Sequence, residues 1–131
     1  MEFSSLVLME VDKDNKFIRE IGSYEVSEGA EYITKFFCKE GKINLYFDTG
    51  KDVEEWEYSA IYDLFDLKTF EEKGYKIEEK DDEYNPTWIV EFDYIEEHME
   101  MVEKLREICN IIHLEVKKSF EESENKKEDY V

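Results

Sequence analysis

Residues 94–120, YIEEHMEMVEKLREICNIIHLEVKKSF, decide the fold. Within them Ile95, Val102, Cys109 and Val116 recur every seven residues, with His98, Leu105 and Ile112 interleaved. This spacing predicts one long helix with a single apolar stripe. Met99, Met101 and Ile108 widen the stripe, as expected of a helix lying across a sheet. The following residues, 121–131, are polar and rich in Glu and Lys, and are expected to fray. The domain proper is therefore expected to span 1–120, with no internal repeat and no linker.

What the helix covers is written upstream. Phe3 to Val11 is β-rich, and after the polar turn Asp12-Lys13-Asp14-Asn15 a second run begins at Lys16 and continues toward Val26, a hairpin. Tyr32 to Cys38 and Ile43 to Phe47 repeat the arrangement around Gly41, which supplies the positive φ such turns need. In Trp56-Glu57-Tyr58-Ser59-Ala60-Ile61-Tyr62 the apolar residues alternate, which predicts a fifth strand. The competing reading is a helix capped by Asp52 with Glu55 three residues on. Asp66 to Lys73 reads as a short helix closed by Gly74. Tyr75–Lys80 and Thr87–Asp93 form a last strand pair, with Pro86 in the connection. The sum is an α+β domain: an antiparallel sheet of about five to seven strands, arranged as hairpins and packed against the C-terminal helix.

Charge narrows the function classes. Seventeen Lys and Arg face 36 Asp and Glu, a net charge of −19, yet 41% of residues are hydrophobic and nine Phe, nine Tyr and two Trp are present. Such a chain folds, and at this length it needs neither metal nor disulfide to do so. With only Arg19 and Arg106 as arginines, it lacks the basic patch that binds nucleic acid. It also lacks a basic amphipathic segment for an anionic membrane surface and an apolar stretch long enough to span a bilayer. The apolar run at the N-terminus has no basic flank and no small-residue cleavage site, so it reads as a strand. Single, distant cysteines, Cys38 and Cys109, fit buried thiols in a reducing cytoplasm.

The candidate sites each have a plainer explanation beside them. Cys109 and His113 stand four apart on the long helix, a spacing that could place two ligands on one metal. Two ligands are too few, and Cys109 belongs to the apolar stripe, so packing explains the pair better. Asp12 to Lys16 resembles the opening of a calcium loop, but Phe17 stands where glycine is needed and Ser23 where a bidentate Glu is expected. A hairpin turn accounts for the same residues. No phosphate loop, dinucleotide fingerprint or nucleophile elbow is present, and no catalytic residue or cofactor is predicted. Glu78, Glu79, Asp81, Asp82 and Glu83 cluster at the last hairpin's turn, where they could hold the Lys and Arg side chains of a partner. A solvated turn is the plainer account. Trp56, Tyr58 and Trp88 are the candidate wall of a small-molecule pocket.

Residues 56–65 (WEYSAIYDLF) and 84–90 (YNPTWIV), together with the Lys-rich, Arg-poor bias, resemble small uncharacterised clostridial proteins grouped as a domain of unknown function. The similarity covers most of the chain. It implies a bacterial cytoplasmic protein and brings no activity, cofactor or site residues with it.

The sequence therefore predicts a non-enzymatic, acidic, cytoplasmic protein that acts through protein–protein contact, with a basic partner the best match to its charge. The alternative is a small-ligand-binding domain whose aromatic pocket lies between sheet and helix. Homodimerisation is a third expectation, because Ile108, Ile111, Ile112 and Leu114 point in several directions around the helix.

Overall fold

The computed structural model describes residues 4–26 and 28–131. Six strands form one sheet: β1 (Ser4–Val11), β2 (Phe17–Val26), β3 (Ile33–Lys39), β4 (Lys42–Asp48), β5 (Lys76–Lys80) and β6 (Thr87–Asp93). Phe3, the expected first residue of β1, lies outside the described residues. The helices are α1 (Glu55–Leu64), α2 (Lys68–Glu71) and α3 (His98–Asn125), with short 3-10 turns at Ala30–Tyr32 and Lys127–Asp129.

Strand order is β2-β1-β3-β4-β6-β5, and every neighbouring pair is antiparallel except β1 and β3, which run parallel. The sheet is thus mostly antiparallel, and the expected succession of hairpins is broken twice. The chain leaves β2, passes over the start of β1 and enters β3 on its far side. That crossing is pinned beneath α3. Gly29, at φ 101°, lies so close that a Cβ on it would sit 2.1 Å from the Cys109 carbonyl oxygen. Two hairpin turns follow the sequence directly: Asp12 accepts from the Asp14 and Lys16 amides at 2.9 Å, and Glu40-Gly41 both take positive φ.

The segment expected as a fifth strand is instead α1. Glu54 and Glu57 form a reciprocal capping box, two residues beyond the Asp52–Glu55 pair of the competing reading. One helical face then buries Ala60 and Ile61 completely. No strand position was open beside β4, whose two edges are taken by β3 and β6. Asp66 accepts from the Lys68 amide at 3.0 Å at the start of α2, and Gly74 ends that segment at φ 89°.

α3 starts at His98, four residues later than the periodicity suggested, because the Glu97 carboxylate caps it by accepting from the Glu100 amide at 2.6 Å. It also continues beyond residue 120, to Asn125. Val102, Leu105, Cys109, Ile112 and Val116 are buried as the stripe required, and Met101, Ile108 and Ile111 join them, whereas Ile95 precedes the helix and His98 and Met99 are exposed. Against α3 the sheet presents Leu8, Val26, Cys38, Ile43, Leu45, Phe47, Trp88 and Val90. All three helices lie on this face.

Candidate functional site

The acidic hairpin turn and α1, read separately from sequence, form one shoulder. Residues 52–66 contain Asp52, Glu54, Glu55, Glu57, Asp63 and Asp66 without a single Lys or Arg. Beside them the β5–β6 turn brings Glu79, Asp81, Asp82 and Glu83. Two tyrosines on α1 hold the pieces together. The Tyr58 hydroxyl lies 3.1 and 3.0 Å from the Asp81 and Glu83 carbonyl oxygens. The Tyr62 hydroxyl sits 2.9 Å from the Lys80 carbonyl and accepts from the Thr87 amide at 2.9 Å. Asn85 links the loop before α1, donating to Asp52 at 3.1 Å while accepting from the Val53 amide at 3.3 Å.

The carboxylates feel one another. Burial, Asp81 and Asp63 together hold the Glu79 carboxyl above the usual glutamate value. Lys80 is the turn's only cation; it pairs with Asp82 at 2.7 Å and Glu83 at 3.4 Å, and it draws the Asp82 carboxyl downward. Asp81 makes no ion pair among the described residues, and Glu78 projects from the opposite face of the sheet, opposite Ile89. Among the described residues no three His, Cys, Asp or Glu side chains converge as a metal site would require. The shoulder is a spread of negative charge, suited to several cationic side chains more than to one ion.

Of the three candidate pocket residues, Trp88 is fully buried. It stacks on Phe65 at 4.2 Å and Phe47 at 5.2 Å, and meets Tyr62 edge-on at 5.3 Å. Tyr58 meets the other side of Tyr62 at 5.2 Å, so an aromatic column runs from the core to the shoulder. Trp56 stands apart. Its indole N–H donates to Glu54 at 2.6 Å, and its ring lines an open depression of about 530 Å³ with Glu54, Glu55, Ser59 and Tyr130. The chain's own C-terminal residues border this depression. The Lys127 ammonium stands 5.2 Å over the Trp56 ring, and the Tyr130 hydroxyl donates to Asp63 at 2.8 Å.

A second depression, about 400 Å³, lies between α3 and the loop after β4. Its walls include Tyr32, His113 and Phe120, with Lys51 and Lys117 beside them. The Cys109 thiol does not face it as a ligand partner for His113: burial pushes it up to about 12, and His113 instead approaches Glu28 at 3.9 Å. Of the residues expected to crowd the helix surface, Ile108, Ile111 and Ile112 are in the core and Leu114 alone is exposed.

Sequence reading found the acidic turn but missed its partner, α1, because a segment taken as a strand cannot bring Glu55 and Asp63 beside Asp81. The missed signal was the six uninterrupted carboxylates of residues 52–66.

A family model described as a family of unknown function (DUF6762) matches residues 1–131, and the chain belongs to that family. No curated protein and no solved structure matches it. No helix among the described residues is long and apolar enough to cross a membrane.

Proposed function

We propose that this DUF6762 protein is a non-enzymatic cytoplasmic interaction domain that holds a basic protein partner on its acidic shoulder. The observation that supports the reading is Lys127. This ammonium lies 5.2 Å over Trp56, whose neighbours Glu54 and Glu55 line the same depression. A partner's Lys or Arg meets there an aromatic face and carboxylates together, a pairing worth more than either alone when partly desolvated. Desolvation of buried thiols fits the cytoplasmic setting, where Cys38 and Cys109 stay reduced.

The test is capture from the organism's own lysate on the tagged full chain, at about 0.05 M and about 0.5 M NaCl. The expected result is a stoichiometric basic protein, released by salt and lost when Glu55, Asp81 and Asp82 are changed to Lys. Capture that is indifferent to both salt and these substitutions overturns the reading.

A second reading, a small-ligand site, is supported by the depression lined by Tyr32, His113 and Phe120. Its aromatic walls and two flanking lysines suit a flat anion. Under this reading the lysate's small-molecule fraction, and not its proteins, raises the Tm, and Phe120→Ala abolishes the rise.

A further inference from the structure

We propose that the uncovered face of the sheet is the contact surface for a second copy of this chain. The inference does not rest on the acidic shoulder, which meets this face only at one edge, where Glu83 lines the depression beside Lys35 and Tyr46 and pairs with Lys80.

Among the described residues every helix packs on one side of the sheet, and the register shows what the other side presents. One transverse row runs Glu20, Met9, Phe37, Asn44, Glu91, Lys76; the next runs Lys35, Tyr46, Ile89, Glu78. Val7 is 42% exposed on this face and Phe17, at its margin, 65%. Two depressions, of about 450 and about 190 Å³, flank the Lys35–Tyr46 pair, where the ammonium lies 5.2 Å over the ring. Apolar groups gathered on one uncovered sheet face mark a contact surface.

Charge selects the occupant. By strand alternation the face carries five lysines and six carboxylates, a net of −1 in a chain whose total is −19. Two copies repel each other in every orientation that opposes their helical sides, and least when these faces meet. The charges on the face are also ordered. The central strands β3 and β4 bear Lys35, Lys39 and Lys42 against Asp48. The β1–β2 flank bears Glu20 and Glu25. The β5–β6 flank bears Glu78, Glu91 and Asp93 against Lys76 and Lys80. A positive stripe between negative borders is self-complementary when a second copy crosses it about a two-fold axis, which places the lysines of each over the other's flanks. A basic partner finds no such excess of carboxylates here.

Size permits the contact. Six strands at about 4.8 Å spacing and seven residues at about 3.3 Å span roughly 24 by 23 Å. With side-chain relief added, that footprint is on the order of the ~800 Å² per partner of a stable interface.

The test is sedimentation equilibrium of the full chain at about 0.02 M and about 0.5 M NaCl, with circular dichroism as the check on folding. The wild type is expected to reach twice the 15.9 kDa monomer mass, and to associate more tightly at the higher salt as repulsion between like-charged copies is screened. Phe37→Glu, and Lys35→Glu at an exposed position, each weaken association ~10-fold or more. Leu114→Asp, on the helical side, leaves it unchanged. A mass that stays at 15.9 kDa up to about 1 mM at both salts, face variants that dimerise like the wild type, loss of the dimer in Leu114→Asp alone, or a monomer that holds a different protein through Phe37 each overturns the proposal.

Discussion

Replacing Tyr62 with Phe removes one oxygen atom and tests how α1 is fastened to the β5–β6 hairpin. The hydroxyl accepts from the Thr87 amide at 2.9 Å and lies within hydrogen-bonding reach of the Lys80 and Thr87 carbonyls, at 2.9 and 3.1 Å. Thr87 is 5% exposed, so water cannot replace the lost acceptor at its amide. An orphaned buried donor costs about 1–3 kcal/mol, and the carbonyl loses its donor as well, so the expected loss is about 2–3 kcal/mol. For a chain of this size that lowers the Tm by roughly 8–12 °C. Tyr58→Phe is the matched control. Its hydroxyl reaches the Asp81 and Glu83 carbonyls at an exposed turn, where water substitutes, and its removal costs about 0.5–1 kcal/mol. Urea denaturation of both variants, read by tryptophan fluorescence, provides the comparison. A loss below about 0.5 kcal/mol for Tyr62→Phe, or a greater loss for Tyr58→Phe, refutes the placement of α1 over the hairpin.

Three further outcomes follow from the core. Gly29→Ala forces a Cβ to within 2.1 Å of the Cys109 carbonyl oxygen at φ 101° and is expected to cost more than about 3 kcal/mol, whereas Gly41→Ala, with open space around it, costs about 1 kcal/mol; equal losses in thermal melts contradict the pinned crossing. Cys109, pushed up to about 12 by burial, and Cys38, raised by the same cause, resist iodoacetamide in the native state and react on unfolding, as intact-mass measurement will show. Glu115, whose Oε1 is buried with no hydrogen-bond partner among the described residues, is held above its ordinary 4.5 chiefly by burial. Its ionisation therefore opposes folding: the wild type is least penalised below 4.5 and loses stability as pH rises through the raised value. Glu115→Gln is expected to raise the Tm at pH 7 and to leave it unchanged at about pH 4; the reverse order refutes this.

The long helix was legible because its apolar stripe obeys one period over many turns and is buried along one side. Strand pairs joined by tight turns were legible for a similar reason, since Gly41 and the Asp12 turn fix their partners locally. The register of β3 beside β1 was not, because sequence spacing carries no record of a non-local neighbour. α1 was misread for a physical reason. Trp56, Tyr58, Ala60 and Tyr62 alternate as a strand would, yet Trp56/Ala60 and Tyr58/Tyr62 are equally neighbours on a helix, and Glu54–Glu57 decides between them. Once α1 was lost, the shoulder was lost with it. The acidic turn remained as an isolated charge run, and Trp56 and Trp88 were grouped as one wall although Trp88 is fully buried in the core and Trp56 lines an open depression.

As a partner site, the acidic shoulder depends on where its charge lies and not on the total. The most direct measurement compares two triple variants of identical net charge in titrations with a fluorescent Lys- and Arg-rich peptide. One reverses Glu55, Asp81 and Asp82 to Lys on the shoulder; the other reverses Glu100, Glu103 and Glu124 to Lys on the exposed side of α3. The shoulder variant is expected to lose ~10-fold or more in affinity and the α3 variant less than about twofold. Equal losses in the two would show that the peptide senses only the net charge, and would contradict that dependence.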